Sequence, residues 1–231
     1  MKTNLLKYAS EIFQSSDLKN VIDPKKNLCV MFTNYNCRGY LGQPVLNDCE
    51  EFARNLTEHF NYKCVFICNA DCKTARNLLI QMLSIPDKKV VFFYSGHGIN
   101  VKDVNGDEKD GLDEAFCFRD ANLVDDEFCR LVNTNLRCKH FICISDACHC
   151  GTIYDANKLR PELHDKVTYV SSCEDHQTSK QLAKNGVFTY NFWNCFDTKT
   201  KELNIKLINR RLSFFDQHMI IFPEYRKTVD F

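Results

Sequence analysis

Two short stretches of this chain carry residue types that can do chemistry together. The first, FICISDACHCG at 141–151, is apolar over five residues apart from Ser145. It then turns polar, with Asp146, Cys148, His149, Cys150 and Gly151. The second, VVFFYSGHG at 90–98, has the same design and sets His97 between Gly96 and Gly98. Each reads as a buried strand ending in a polar turn, and open α/β sheets collect their reactive groups at that C-terminal edge. Two such strand ends would put Cys148 beside His97. A thiol next to an imidazole is the minimum for nucleophilic cysteine chemistry, because the thiolate attacks while the imidazole holds the proton.

The bland alternatives differ for the two residues. An isolated histidine is more commonly structural, but glycine on both sides of His97 allows close backbone approach to a ligand. Most other cysteines here, such as Cys29, Cys64, Cys68 and Cys143, fall in apolar runs where a reduced thiol acts as a small hydrophobe. Cys148 instead leaves its strand for a polar turn. His149 is a rival base, ranked lower because adjacent side chains in an extended turn point apart.

The elements that must position these groups alternate. Apolar runs predict strands at 27–33, 63–69, 90–94, 140–145 and 167–172, and a last one at 218–222. Helices are expected at 74–83, 125–132, 186–196 and 203–211. Asp125, Asp126 and Glu127 suit the positive N-terminus of the second of these. Another helix is expected after a loop at 35–46, capped by Asn47 with Glu50 three residues on, and running to Phe60. Leu5, Leu6, Ala9, Ile12 and Phe13 have helical spacing, which predicts an amphipathic helix before Pro24. This alternation argues for the α/β class: a mostly parallel central sheet flanked by helices on both faces. Residues 103–127 break the pattern, with ten acidic residues against Lys109 and Arg119.

Composition bounds the partners. With 231 residues, 44% hydrophobic and 26% charged, the chain suits one sizeable core. Net charge is zero, so neither nucleic acid nor a membrane surface is an expected partner. No apolar run approaches the roughly 18 residues of a membrane span. The N-terminal 20 residues are too interrupted by charge for a signal peptide, so a cytoplasmic monomer is expected. Fourteen cysteines in so core-rich a chain point to a reducing compartment and not to a disulfide scaffold. Cys64, Cys68 and Cys72 are spaced by four, without the short CxxC knuckle of a zinc site.

The His and Cys motifs lie 51 residues apart in order, and YSGHG followed by DACHCG resembles the metacaspases, caspase-like cysteine peptidases of protists, fungi, plants and bacteria. Further stretches carry the resemblance: LND at 46–48, DVNGDEKDGLDEAF at 103–116, LVDDEF at 123–128, SSCEDHQTS at 171–179 and GVFTYNF at 186–192. The likeness covers about residues 27–222. It implies a caspase-like fold over 27–231, with a p20-like part at 27–157, a p10-like part at 167–231, and an N-terminal extension at 1–26. It also implies a minimal catalytic unit without a Pro/Gln-rich prodomain.

Carried over residue by residue, the resemblance makes Cys148 the nucleophile and His97 the proton carrier. The backbone N–H groups of Gly98 and Cys148 would form the oxyanion hole. Asp48, Asp146 and Ser95 would line an S1 pocket for Arg or Lys, with Asp175 a weaker candidate. A carboxylate two residues before the nucleophile agrees independently, since it favours a cationic P1 side chain. The implied substrates are proteins or peptides with Arg or Lys at P1. Asp113, Asp125, Asp126 and Asp155 match aspartates that bind regulatory Ca²⁺ in calcium-activated members, a cation that hard oxygen ligands suit. An EF-hand starting at Asp103 fits poorly, because Glu108 stands where glycine is required. Cys150 departs from the family's usual serine. The alternative from another class is a catalytically inactive caspase-fold scaffold, but such a protein would lack the Cys or the His.

Overall fold

A computed structural model describes residues 2, 4–14, 16–37, 39–108, 110–151, 153, 158–224, 226 and 228–231. Its centre is a seven-stranded sheet. In chain order the strands of this sheet and its surroundings are β1 (Ala9–Glu11), β2 (Asn27–Thr33), β3 (Tyr62–Cys68), β4 (Lys89–Ser95), β5 (Gly98–Lys102), β6 (Leu112–Cys117), β7 (Asn122–Val124) and β8 (His140–Asp146). They continue with β9 (Val167–Ser171), β10 (Phe196–Asp197), β11 (Glu202–Leu203) and β12 (Ile220–Phe222). The helices are α1 (Gln43–His59), α2 (Cys72–Leu83), α3 (Asp125–Asn135), α4 (Val187–Asn194) and α5 (Ile205–Leu212).

The spatial order is β1-β3-β2-β4-β8-β9-β12, parallel throughout except for β12 against β9. The chain runs from β2 outward to β3, then returns to β4 on the other side of β2 and continues to β8. The order therefore reverses between β2 and β4, the place where open sheets form their crevice. Strand side chains alternate between two cores. Val90, Phe92 and Tyr94 pack on the side covered by α2 and α3, whereas Val91 and Phe93 pack on the side of α1, α4 and α5. Both faces are buried, which is why the central strands read as unbroken apolar runs.

Two expectations need correction. The amphipathic segment before Pro24 is not one helix: only residues 5–7 and 18–20 form short 3-10 turns. Ala9–Glu11 instead extends the sheet along β3, and Ile12 N–H donates to the Phe66 carbonyl at 2.8 Å. Leu5 and Ala9 join one core and Ile12 the other, a split that a strand permits and a single helix face does not. Helix α1 begins at Gln43, not at an Asn47 cap; Pro44 sits in its first turn, where a missing N–H costs nothing. Asn47 lies inside that helix and accepts a bond from Gln43 Nε2 at 2.7 Å. Finally, the region that breaks the sequence pattern is ordered: residues 98–124 form a three-stranded antiparallel sheet, β5-β6-β7.

Phe93 stacks on Phe52 with ring centroids 4.1 Å apart, joining β4 to α1 beneath the strand end that carries His97. Phe93→Ala should therefore destabilise the fold by about 3–5 kcal/mol, read as a lowered urea midpoint.

Candidate active site

Strands β4 and β8 are neighbours in parallel register, with Ser95 opposite Asp146 at their last residues. His97 and Cys148 each lie two residues past that pair, so the sheet itself delivers both to one edge. Together with Asp48, Ser95, Asp146, Ser179, Lys180 and Gly186 they line a cavity of about 110 Å³. Cys148 Sγ is 3.8 Å from the Ser179 carbonyl oxygen, and His97 Nε2 is buried without a hydrogen-bond partner.

The backbone around both residues is held tightly. The single O–H of Tyr94 lies between two carbonyl acceptors, His97 at 2.7 Å and Cys117 at 2.8 Å, and is shared by them. A Cβ on Gly98 would come within 1.9 Å of the Cys148 carbonyl oxygen, so only glycine permits the two turns to touch. Behind Cys148, the Ala147 carbonyl accepts from Ser172 Oγ at 3.0 Å, Cys150 Sγ at 2.9 Å and Cys173 Sγ at 3.2 Å. Cys150 thus faces inward as part of a clamp. His149 adopts φ 48° and bonds through Nδ1 to the Asp175 carbonyl at 2.5 Å, which turns its ring aside.

The cavity wall contains two buried carboxylates. Asp48, on α1, is 1% exposed; it accepts from Ser95 Oγ at 3.0 Å, Asn185 Nδ2 at 3.2 Å and Gly186 N–H at 2.9 Å. Asp146 is 6% exposed; it accepts from Ser179 Oγ at 2.6 Å, Thr189 Oγ1 at 2.8 Å and Thr189 N–H at 3.2 Å. Burial pushes the Asp48 carboxyl well up from the ordinary range, and the nearby Asp146 charge pushes it further. Burial also raises the Asp146 carboxyl, against its hydrogen bonds from Ser179 and Thr189. Such a cavity favours a cation. Asp175 does not line it; its carboxylate lies against Gly151, where a Cβ would stand 2.6 Å from Oδ1.

Ser179 and Gly186 line the cavity, and Asn185 and Thr189 support its two carboxylates by hydrogen bonds; sequence reasoning gives none of the four a role. Ser179 ends the SSCEDHQTS stretch and Thr189 lies within GVFTYNF, so the signal was present as resemblance but not as chemistry. Gly186 is required sterically, since a Cβ there would fall 2.2 Å from Asp146 Oδ2.

The expected calcium ligands Asp113, on β6, and Asp125, at the start of α3, come together at a separate place, while the adjacent Asp126 is in neither set of converging oxygens. Asp155 lies outside the described residues. Carboxylate oxygens of Glu108, Asp113 and Asp125 lie within 4.8 Å of one another, as do those of Asp103, Asp107 and Asp113. The Asp103 loop joins two antiparallel strands, so no helix–loop–helix surrounds it; Asp103 accepts from the N–H groups of Asn105, Gly106 and Glu108 at 2.7–3.0 Å. Asp113 Oδ1 and Asp125 Oδ1 are buried without a hydrogen-bond partner. An all-oxygen set with orphaned buried oxygens fits a hard divalent cation. Burial raises the Asp125 carboxyl to about 6.

The fold is of the caspase-like α/β type. A crystal structure of a Geobacter sulfurreducens protein superposes with a TM-score of 0.64 at 21% identity, over 85% of this chain and 92% of that one. Residues 26–218 match the profile of the caspase domain, and the chain belongs to that peptidase family. Metacaspase-1B of Neurospora crassa is 33% identical over 148 residues, 56% of this chain and 34% of that protein. Metacaspase-1 of Ajellomyces capsulatus is 31% identical over 159 residues, 61% of this chain and 44% of that protein. The chain thus matches less than half the length of either relative.

Burial raises the Cys148 thiol and lowers the His97 imidazole, so both neutral forms are favoured in the unliganded protein. Alkylation of Cys148 by iodoacetamide, followed on its peptide by mass spectrometry, should rise roughly tenfold per pH unit to about pH 9. A rate already at its plateau by pH 6 would show a preformed ion pair instead.

Proposed function

We propose that this protein is a calcium-activated cysteine endopeptidase that cleaves after Arg or Lys. The observation that carries this reading is one cavity lined by Cys148 and His97 together with the buried carboxylates of Asp48 and Asp146. A P1 guanidinium or ammonium entering there meets two acceptors in a site of low dielectric, where charge-assisted bonds are strong. An acidic P1 side chain would meet like charge.

His97 takes the Cys148 proton as the sulfur attacks the scissile carbonyl carbon. The new S–C bond turns the carbonyl oxygen into an oxyanion, which the N–H groups of Gly98 and Cys148 stabilise. Collapse breaks the C–N bond, and His97 returns the proton to the leaving amine. Water, deprotonated by His97, then hydrolyses the thioester and restores the thiol. Cation binding also helps the pocket itself: a P1 charge between Asp48 and Asp146 replaces their mutual repulsion with attraction, and should release a proton as Asp48 ionises.

Asp113, Asp125 and Asp126 would hold Ca²⁺, whose two charges suit a cluster of several carboxylates. The metal in this reading is regulatory and remote from the chemistry.

Turnover of short fluorogenic peptides tests this. Arg and Lys at P1 should be cleaved in calcium and Asp at P1 should not. Cys148→Ala and His97→Ala should each abolish turnover while preserving the folded circular dichroism spectrum. Asp146→Ala should lower kcat/KM for Arg at P1 by roughly 10- to 1,000-fold. Preference for Asp at P1, or activity retained in Cys148→Ala, would refute the reading; full activity in excess chelator would remove calcium alone.

A further inference from the structure

The acidic cluster already holds a cation of its own. Lys158 Nζ lies 2.8 Å from Asp126 Oδ1, 3.0 Å from Glu108 Oε1, 3.1 Å from Asp107 Oδ2 and 3.2 Å from Asp125 Oδ2. Four carboxylates from two separate segments, the β5–β6 loop and the start of α3, converge on one ammonium. An ammonium has three N–H donors, so it serves this cluster as a central point charge as well as a donor.

Glu108 and Asp125 are also two of the three residues whose oxygens converge with Asp113 closely enough to share a metal ion. The ammonium and a divalent cation would therefore draw on the same carboxylates. Repulsion between two cations at such separations makes their joint occupancy costly. The ammonium does not exhaust the cluster, because Asp113 Oδ1 and Asp125 Oδ1 remain buried and unpartnered. A divalent ion offers twice the charge, at shorter metal–oxygen distances, to exactly those vacant acceptors.

The main chain at Lys158 is fixed independently of its ammonium. Asn133 Nδ2 donates to the Lys158 carbonyl at 2.7 Å, and Asn133 Oδ1 accepts from Arg160 N–H at 3.0 Å. Leu159 is buried beside it. The Lys158 side chain is 17% exposed, so rotation about its own bonds leads to solvent without unseating these anchors.

We propose that Lys158 is a tethered competitor for the metal: its ammonium fills the acidic cluster until Ca²⁺ enters and drives it out. This rests on the calcium reading above. It adds that the calcium threshold is set by the ease of ejecting one lysine. The ammonium also explains how the cluster avoids collapse into mutual repulsion before metal arrives.

The test uses the full chain carrying Cys148→Ala, so that no self-cleavage intervenes. Lysines are acetylated briefly with an N-hydroxysuccinimide ester, with and without saturating Ca²⁺, and each site is quantified by mass spectrometry. Lys158 should be protected relative to the exposed Lys184 in chelator, and should approach the rate of Lys184 in calcium. Calorimetric titration should show Lys158→Met binding Ca²⁺ about tenfold or more tightly than the unsubstituted lysine. Measurable calcium binding with Lys158 still protected would overturn the displacement and leave the calcium site standing. No calcium binding by either protein would overturn both. Should Lys158→Met fail to fold, the footprint on the native lysine still decides.

Discussion

Two carboxylates buried within one small cavity are the constraint on which the site depends. Asp48 comes from α1 and Asp146 from the end of β8, and neither has a cationic partner within hydrogen-bonding contact among the described residues. Charge taken out of water in this way is costly unless donors surround it. The donors come almost entirely from residues 179–189. Ser179 and Thr189 serve Asp146, while Asn185 and the Gly186 N–H serve Asp48. The need to solvate two acids thus ties the C-terminal third of the chain to the strand ends carrying Cys148 and His97. Without that segment the pair would have only Ser95 as a neutral donor.

The acidic cluster at α3 meets the same physical problem by other means. There the carboxylates are more numerous, and neutral donors alone do not serve them: Asp126 accepts from Asn105 Nδ2 at 2.6 Å as well as from Lys158. A lysine ammonium settles that cluster, whereas fixed dipoles settle the first. The difference has functional weight. Under the function proposed above, fixed dipoles would keep the cavity shaped for a cationic side chain that arrives from outside. An ammonium on a flexible stem can leave, which a preorganised pocket should resist and a regulatory site should permit.

What was legible in the sequence followed from burial. Strands packed on both faces leave uninterrupted apolar runs, and their ends are marked where polarity changes, so the positions of His97 and Cys148 could be read before any coordinates. The parts that were not legible depend on contacts between distant segments. Ala9–Glu11 has helical spacing, yet it is a strand because the edge of β3 offers it hydrogen bonds. Asn47 looks like a cap, but Pro44 starts the helix sooner. The partners of Asp48 and Asp146 lie 137 and 43 residues away in the chain, too far for any local pattern to reveal. Nothing local ties Lys158 to the acidic cluster, since a lysine in a polar connection reads as solvated and exposed.

Glycine completes the account of how the site is assembled. At Gly98 and Gly186 the φ angles are not what excludes other residues; space is. One lets the histidine turn touch the cysteine turn, and the other lets residues 185–189 reach Asp146. In both cases a missing side chain allows two backbone segments to approach; at Gly186 this brings its own N–H to Asp48 at 2.9 Å and the Thr189 N–H to Asp146 at 3.2 Å. The chemistry assigned to this edge needs such backbone donors at fixed positions, because an oxyanion and a buried carboxylate both require dipoles already in place when charge appears. One turn and one helix entrance, each reduced to glycine at its point of closest approach, bring the backbone that close without a side chain to order.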